Sequence, residues 1–253
     1  MDDQSNAGTP QPVIGALVAS GLPFQTAVAQ VIRHSDYALS NEEFPWRDEA
    51  GSDRFLDLVA VKNWFTLTIE CKKTRKEMLT FLRPASSQGD TNYTRCLRFS
   101  HSVLSFTRLK PYFENLALAP RSAESQYCIV SATDLEKNPR MLEQDVQRLV
   151  AGTDAYSRHC NRPGDPLSDR LFIPLLVTNA KLFVADYDAS DVSLETGEFP
   201  MPPPAKISPV KWVRFRKAFT SVPEDFGERT VFVVAAAALR QFLNKLELPR
   251  PLC

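Results

Sequence analysis

Two neighbouring segments of the chain, RFLDLVAV (54–61) and WFTLTIECK (64–72), have the composition of paired β-strands. Both are rich in the β-branched, aromatic and aliphatic residues that favour strands. The two residues between them, 62–63, form a connection of hairpin length. Three charged residues stand in these otherwise apolar strands: Asp57, Glu70 and Lys72. A charge buried in such a strand is costly unless it has a partner, so these three need a physical explanation.

The pairing of the two strands predicts that the three charges share one face. With a turn at 62–63, Asp57 lies opposite Thr68. Because side chains alternate between the two faces of a sheet, Asp57, Glu70 and Lys72 then project to the same side. Glu70 is the diagonal neighbour of Asp57, at about 7–8 Å between backbones, which lets two carboxylates reach one cation.

Two adjacent carboxylates repel each other, and a divalent metal ion between them removes that repulsion. Mg²⁺ prefers oxygen ligands and commonly binds one or two carboxylates together with a substrate phosphate. A lysine on the same face can hold an attacking water or neutralise charge on phosphorus. The alternative is a salt-bridge cluster on a solvated sheet face, but the flanking residues Phe55, Val59 and Trp64 are apolar for such a surface.

The segment from Gly21 to Thr74 resembles the core of the PD-(D/E)xK nuclease superfamily, which has the restriction-endonuclease-like fold. The resemblance is to the branch of Mrr-type and Holliday-junction-resolvase-like proteins. It lies in the order of elements: a predicted helix from Pro23, an acidic loop from Ser40 to Asp53, a strand with Asp, and a strand with Glu-x-Lys. These motifs cover roughly a fifth of the chain.

The resemblance implies a Mg²⁺-dependent endodeoxyribonuclease that hydrolyses phosphodiester bonds in restriction, repair or defence, with Mn²⁺ as a substitute. It makes Asp57 and Glu70 metal ligands, Lys72 the catalytic lysine and the backbone carbonyl of Cys71 a further ligand. One alternative is a catalytically inactive module of the same fold that binds nucleic acid or a protein partner. Another is a structural protein within a larger assembly.

The sequence departs from the family pattern at two places. Leu56 stands where the superfamily's name has proline, and Gln25 stands where many members have an acidic residue on the first helix. The acidic loop offers Glu43, or Glu42, as the third carboxylate instead.

Basic residues follow the hairpin directly. Lys73, Arg75 and Lys76 are candidates for contact with the phosphates of a nucleic acid. The formal net charge of the whole chain is zero, but residues 1–70 carry −6 and residues 71–121 carry +7. Overall neutrality argues against strong non-specific binding to polyanions and does not argue against a nuclease.

Other chemistries lack their signatures. The three histidines have no metal-ligand spacing, and the chain has no GxSxG elbow, P-loop or GxGxxG motif. Five cysteines without a CxxC pair favour a reducing, cytoplasmic location. The apolar stretch 12–32 is interrupted by Pro23, Gln25 and Gln30, so no membrane association is expected. A homodimer is left open.

Strands that alternate with helices predict an α/β fold with a mixed central sheet flanked by helices. We expect a disordered tail at 1–11 and a restriction-endonuclease-like core at 12–198, with a partly helical basic insertion at 73–121. Residues 199–253 form an α/β extension packed on the same sheet, so that the whole is one compact domain. The stretch 199–209 contains five prolines and is predicted to be a connector.

Overall fold

The computed structural model describes residues 11–74, 78–85, 89–100, 110–130, 141–160, 170–200, 204–219 and 227–247. Within these ranges the helices are α1 (Gln11–Ala19), α2 (Leu22–Arg33), α3 (Met141–Cys160) and α4 (Leu239–Lys245), with 3₁₀ turns at Ala189–Asp191 and Ala236–Ala238. The strands are β1 (Ala38–Arg47), β2 (Asp53–Lys62), β3 (Phe65–Lys72), β4 (Met78–Pro84), β5 (Thr91–Ser100), β6 (Lys110–Ser122), β7 (Glu124–Ser125), β8 (Tyr127–Val130), β9 (Arg170–Thr178), β10 (Lys181–Tyr187), β11 (Lys206–Val210), β12 (Trp212–Phe219) and β13 (Gly227–Ala235). None of these helices has the length and apolar character needed to cross a bilayer.

The main sheet has nine strands in the order β1-β2-β3-β9-β13-β12-β7, with β5 pairing both β9 and β6. Strands β1, β2 and β3 form an antiparallel meander, whereas β3, β9 and β13 run parallel to one another. The sheet is therefore mixed and helices pack on it, which confirms the predicted α/β class. Strands β12 and β13, from the C-terminal part of the chain, belong to this same sheet.

A second sheet of four strands, β11-β10-β4-β8, was not predicted. It joins β10 to β4 in parallel across about a hundred residues of sequence. Its edge strand β11 overlaps the proline-rich stretch that was expected to be a connector, and that prediction is wrong for 206–209. Proline is tolerated in an edge strand because one side of the strand makes no ladder hydrogen bonds.

Two hydrophobic cores lie on opposite faces of the main sheet. The first is formed with α3 and the second sheet, and it includes Val146 and Leu149 of α3. The second is formed with α2 and α4, and it includes Ile32 of α2 and Phe242 of α4. Helix α2 begins close to Pro23, as predicted, because proline is well tolerated in a first helical turn.

Two other local predictions are wrong. The acidic segment expected to be a loop from Ser40 forms β1 up to Arg47. The region 73–121 was expected to be partly helical, but its described part consists of the strands β4, β5 and β6. Charged side chains are compatible with β1 because it is the edge strand of the main sheet, and charges protect an edge from unwanted pairing. The predicted tail falls almost entirely on residues 1–10, which lie outside the described ranges.

Candidate active site

The hairpin β2–β3 turns one residue later than the sequence suggested. Lys62 pairs with Phe65, so the two turn residues are Asn63 and Trp64. Asn63 has a φ of 53°, a left-handed conformation that asparagine tolerates better than most residues. The loop still has an even number of residues, so the two strands keep the predicted relation between their faces.

The new register brings the two carboxylates closer in the ladder than predicted. The last paired residues are Leu58 and Ile69, and continuation of this register places Glu70 opposite Asp57. The expected partner of Asp57, Thr68, lies opposite Val59 instead. Glu70 is therefore the direct neighbour of Asp57 across the hairpin and not its diagonal neighbour.

The alternation of side-chain faces is interrupted at Asp57. Leu56 and Val59 both pack in the first core, whereas Leu58 packs in the second. Level with Asp57 in the neighbouring strand β1, Glu43 has a φ of 53°. The predicted strict alternation thus fails here, and Phe55, expected on a covered face, is 57% exposed. Local irregularities of this kind re-aim side chains in strands next to functional sites.

Asp57, Glu70 and Lys72 line one open cavity of about 610 Å³. Cys71 and Lys73 line the same cavity, which lies at the end of the hairpin where β3 stops. Its opposite wall comes from α1, α2 and the residues between them: Gly15, Ala19, Gly21, Leu22 and Gln25. The structure therefore brings together the three charged residues selected from the sequence.

Two hydrogen bonds hold Asp57, one at its carboxylate and one at its own backbone carbonyl. Its Oδ2 accepts a hydrogen bond of 2.6 Å from the backbone N–H of Cys71, and its own carbonyl accepts one of 3.3 Å from the side chain of Gln25. Burial raises the pKa of the Asp57 carboxyl, and the nearby charge of Glu43 raises it further. The Cys71 N–H and the Lys72 ammonium partly offset this increase. Gln25 thus supports the site through a backbone contact.

Glu70 has the more perturbed carboxyl group. Burial, together with the negative charges of Asp57 and Asp145, raises its pKa from the usual 4.5 to about 8, against the opposing effects of Lys72 and Arg148. Within the described ranges, no hydrogen bond or ion pair involves the Glu70 carboxylate. A group with this environment favours a bound proton or a nearby cation.

Lys72 contacts a residue that sequence reasoning missed. Its Nζ lies 2.8 Å from Oδ2 of Asp145, which belongs to α3 and is buried. The signal was present in the sequence, because Asp145 interrupts the apolar stripe of α3 between Leu142 and Val146. A lone acid on such a stripe requires a partner, but the identity of that partner depends on how α3 packs.

Cys71 faces away from Glu70 and Lys72, as predicted from strand alternation. Its side chain packs against the second core, while its backbone N–H reaches Asp57. Burial raises the pKa of the Cys71 thiol well above its usual value. The side chain therefore acts as a core residue and is poorly suited to act as a nucleophile. The metal-ligand role of its carbonyl remains a prediction.

The remaining candidates are placed less centrally. Glu43 is exposed and does not line the cavity, although its charge acts on Asp57. Glu42 forms an ion pair with Arg33. Lys73 is exposed, and its Nζ donates a hydrogen bond of 3.2 Å to the carbonyl of Ser20. Arg75 and Lys76, predicted to contact nucleic acid, lie outside the described residues.

The donor atoms of the residues at the cavity suit a hard cation. Asp57 and Glu70 supply carboxylate oxygens with raised pKa values, the type of ligand that Mg²⁺ selects. In the part of the chain that the structure describes, no three His, Cys, Asp or Glu side chains are grouped to hold a metal ion by themselves. Mg²⁺ does not need such a cage, because it commonly uses one or two carboxylates, water and substrate phosphate.

Comparisons of the chain with protein-family models, with curated proteins and with solved structures find no match. The resemblance to the PD-(D/E)xK superfamily therefore rests on the motifs and the order of elements in residues 21–74, where part of the expected acidic loop is a strand in the structure.

Proposed function

We propose that the protein is a metal-dependent nuclease that hydrolyses phosphodiester bonds in DNA. The observation that carries this proposal is the convergence of Asp57, Glu70 and Lys72 on one cavity. An acid pair with an adjacent lysine is a combination that serves phosphoryl chemistry, because the acids attract a divalent cation and the lysine attracts phosphate.

The two carboxylates are the proposed ligands of Mg²⁺, with Mn²⁺ as a substitute. Asp57 has one oxygen engaged by the backbone of Cys71, so its other oxygen is available for a ligand. Glu70 is the second proposed ligand. Its carboxyl group, whose pKa is raised, gives up its proton when the cation binds. When bound, the ion would polarise the phosphoryl group and activate the attacking water.

The basic side chains at the cavity are the proposed contacts for substrate. Lys72 presents its ammonium beside Glu70, where it can stabilise the charge that develops on the phosphate. Lys73 lines the same cavity and would contact a neighbouring phosphate, in line with the predicted roles of Arg75 and Lys76. The choice of DNA follows from the family resemblance, and a restriction, repair or defence role follows from it too.

The test is plasmid nicking by the purified protein with Mg²⁺ or Mn²⁺, with EDTA as the metal-free control. We expect D57N, E70Q and K72M each to reduce the rate at least about 100-fold while the proteins stay folded. The matched controls D53N and K62M lie in the same meander away from the cavity, and they should nick like the wild type. An RNA substrate of the same sequence shows which nucleic acid is cut.

The same experiment decides between the nuclease and its alternative. Isothermal titration calorimetry with Mg²⁺ should show binding that E70Q weakens. If E70Q nicks DNA at the wild-type rate, the proposed mechanism is wrong. If the wild type neither binds the metal nor nicks DNA but still retains labelled DNA in a gel shift, the protein is an inactive binding module of this fold.

A further inference from the structure

The buried carboxylate of Asp145 holds the ammonium of Lys72 at the edge of the cavity. The Nζ–Oδ2 distance is 2.8 Å, and the two side chains are 32% and 5% exposed for Lys72 and Asp145. Arg148 approaches the other oxygen of Asp145 only to 3.8 Å, and its side chain is 58% exposed. Lys72 is therefore the close cationic partner of this buried acid.

The position of Asp145 is set by a second contact between the same two elements. The hydroxyls of Thr68 in β3 and Thr153 in α3 lie 2.7 Å apart in the interior. From Thr68 to Lys72 the strand advances about 13 Å, and from Thr153 back to Asp145 the helix covers about 12 Å. The two spans match because α3 runs antiparallel to β3. The contact between Thr68 and Thr153 thus fixes α3 in the position that places the Asp145 carboxylate next to Lys72.

A structural role alone does not explain this pair. Burial of a carboxylate between Leu142 and Val146 costs free energy, and attraction to a partly exposed lysine returns little of it. Apolar residues would pack α3 at lower cost. What the pair does achieve is to restrict a flexible side chain, since a lysine has four rotatable side-chain bonds and loses that freedom only when its end is held.

We propose that Asp145 is the positioning residue of Lys72 and holds its ammonium in the place where substrate phosphate is to be met. This proposal rests on the nuclease function proposed above. A lysine ammonium has three N–H donors. The ion pair with Asp145 holds the ammonium from the helix side at 2.8 Å, and its cavity side is left for a phosphate oxygen and the attacking water.

The first test compares three variants of full-length protein in plasmid nicking. D145N keeps the shape of the side chain and removes its charge, so we expect kcat to fall about 10- to 100-fold, as for other residues that orient a catalytic group. KM for DNA should stay within about twofold, because Asp145 does not line the cavity. D145E should recover part of the lost rate.

The matched control is D154N, the same substitution in another buried acid of α3 that does not line the cavity. It should leave kcat at the wild-type value. Thermal unfolding of all variants separates a loss of fold from a loss of positioning. A fall in kcat that D154N shares, or one that follows the fall in Tm across the variants, would assign Asp145 a purely structural role and overturn the proposal.

The second test does not depend on nuclease activity. Brief acetylation of metal-free protein, read by mass spectrometry, reports how freely Lys72 reacts relative to the exposed Lys181 in the same sample. Loss of the ion pair in D145N should raise the relative reactivity of Lys72 several-fold, whereas D154N should not change it.

The two tests separate the two claims. A wild type that nicks no nucleic acid under any metal disproves the proposed function, whatever the acetylation result. An unchanged reactivity of Lys72 in D145N disproves the positioning role, whatever the nicking result.

Discussion

Thr68 of β3 and Thr153 of α3 share a buried hydrogen bond of 2.7 Å between their hydroxyl groups. Thr153 also donates to the carbonyl of Leu149 at 2.7 Å, and a hydroxyl has only one hydrogen to donate. Thr68 is therefore the donor in the shared bond. This bond fixes α3 against the strand that carries Glu70 and Lys72.

The direction of that hydrogen bond predicts unequal effects for two similar substitutions. In T153V the hydroxyl of Thr68 stays buried without a partner, so the free energy of unfolding should fall by about 1–3 kcal/mol. In T68V the hydroxyl of Thr153 keeps Leu149 as its acceptor, so the loss should be below about 1 kcal/mol. Urea unfolding of both variants measures the difference. Equal losses would contradict the assigned donor.

Gly152 is required by the close approach of α3 to β2. A methyl group at this position would lie 2.6 Å from Cδ2 of Leu56 and 3.1 Å from Nε1 of Trp46. Alanine normally stabilises a helix by about 1 kcal/mol relative to glycine, but here the clash dominates. We expect G152A to lower the free energy of unfolding by about 1–3 kcal/mol.

A second substitution tests the cause. The L56A background removes the shortest of these contacts and leaves the one with Trp46, so G152A should be clearly less destabilising there than with Leu56 present. Chemical denaturation of the four proteins gives the coupling between the two sites. If G152A were equally harmful with Leu56 and with alanine at position 56, the clash would not be the reason.

Arg214 is a buried arginine that binds neutral groups. Its side chain is fully buried, and burial lowers its pKa to about 10, so it is protonated at neutral pH. The guanidinium donates hydrogen bonds to two hydroxyls and three backbone carbonyls of β5 and β6: Thr94 Oγ1, Ser122 Oγ, Asn92 O, Leu118 O and Pro120 O. It thereby joins β12 to β5 and β6.

Replacement of this arginine leaves several buried acceptors without donors. We expect R214M to cost about 3–5 kcal/mol of unfolding free energy, and R214K to remain destabilising because an ammonium has three donors where five contacts are needed. The control is R216M, two residues along β12, where a partly exposed side chain forms ion pairs worth below about 1 kcal/mol. Comparable losses for R214M and R216M in thermal unfolding would contradict this assignment.

The raised pKa of Glu70 predicts a pH-dependent stability. Between the unfolded value near 4.5 and the folded value of about 8, the folded protein binds more protons at this site than the unfolded chain does. Stability therefore falls as pH rises through this window, by at most about 1.4 kcal/mol per pH unit from this group. The pKa of Asp57 is raised as well and acts in the same direction.

Glutamine at position 70 cannot ionise, so E70Q should lack this part of the pH dependence. In EDTA, the stability of E70Q relative to the wild type should increase from pH 5 to pH 8 and then level off. Added Mg²⁺ should reduce the difference if Glu70 is a ligand. A difference between the two proteins that does not change with pH would show that the carboxyl group is not perturbed.

Part of the site could be predicted from the sequence because it depends on local pairing. Asp57, Glu70 and Lys72 lie within sixteen residues of one another on a single hairpin. Their common face was predicted from the two-residue period of strands and a loop with an even number of residues. In the structure that period is broken at Asp57, but the three residues still line one cavity. The turn is one residue later than predicted, and this changes the partner of Asp57 but not the even number of residues in the loop.

Other features depend on contacts that a local pattern does not contain. The segment from Ser40 is as rich in charged residues as a typical loop, and it is an edge strand only because it pairs with β2. The break in alternation at Asp57 arises because β1 and β2 are both irregular at that level. The second sheet joins β4 to β10, and no short-range signal specifies a parallel partner at that distance.

The amino-acid order alone shows which residues are chemically out of place, since a charge among apolar neighbours is visible without coordinates. It determined the hairpin and the α/β class as well, because period and composition are local properties. Three contacts became visible only with the packed structure: Lys72 pairs with Asp145, Glu70 lies near the charges of two other carboxylates, and Arg214 donates hydrogen bonds to carbonyls. These contacts join residues 73 or more positions apart in most cases, and they exist only because the packing of apolar faces brings the elements together.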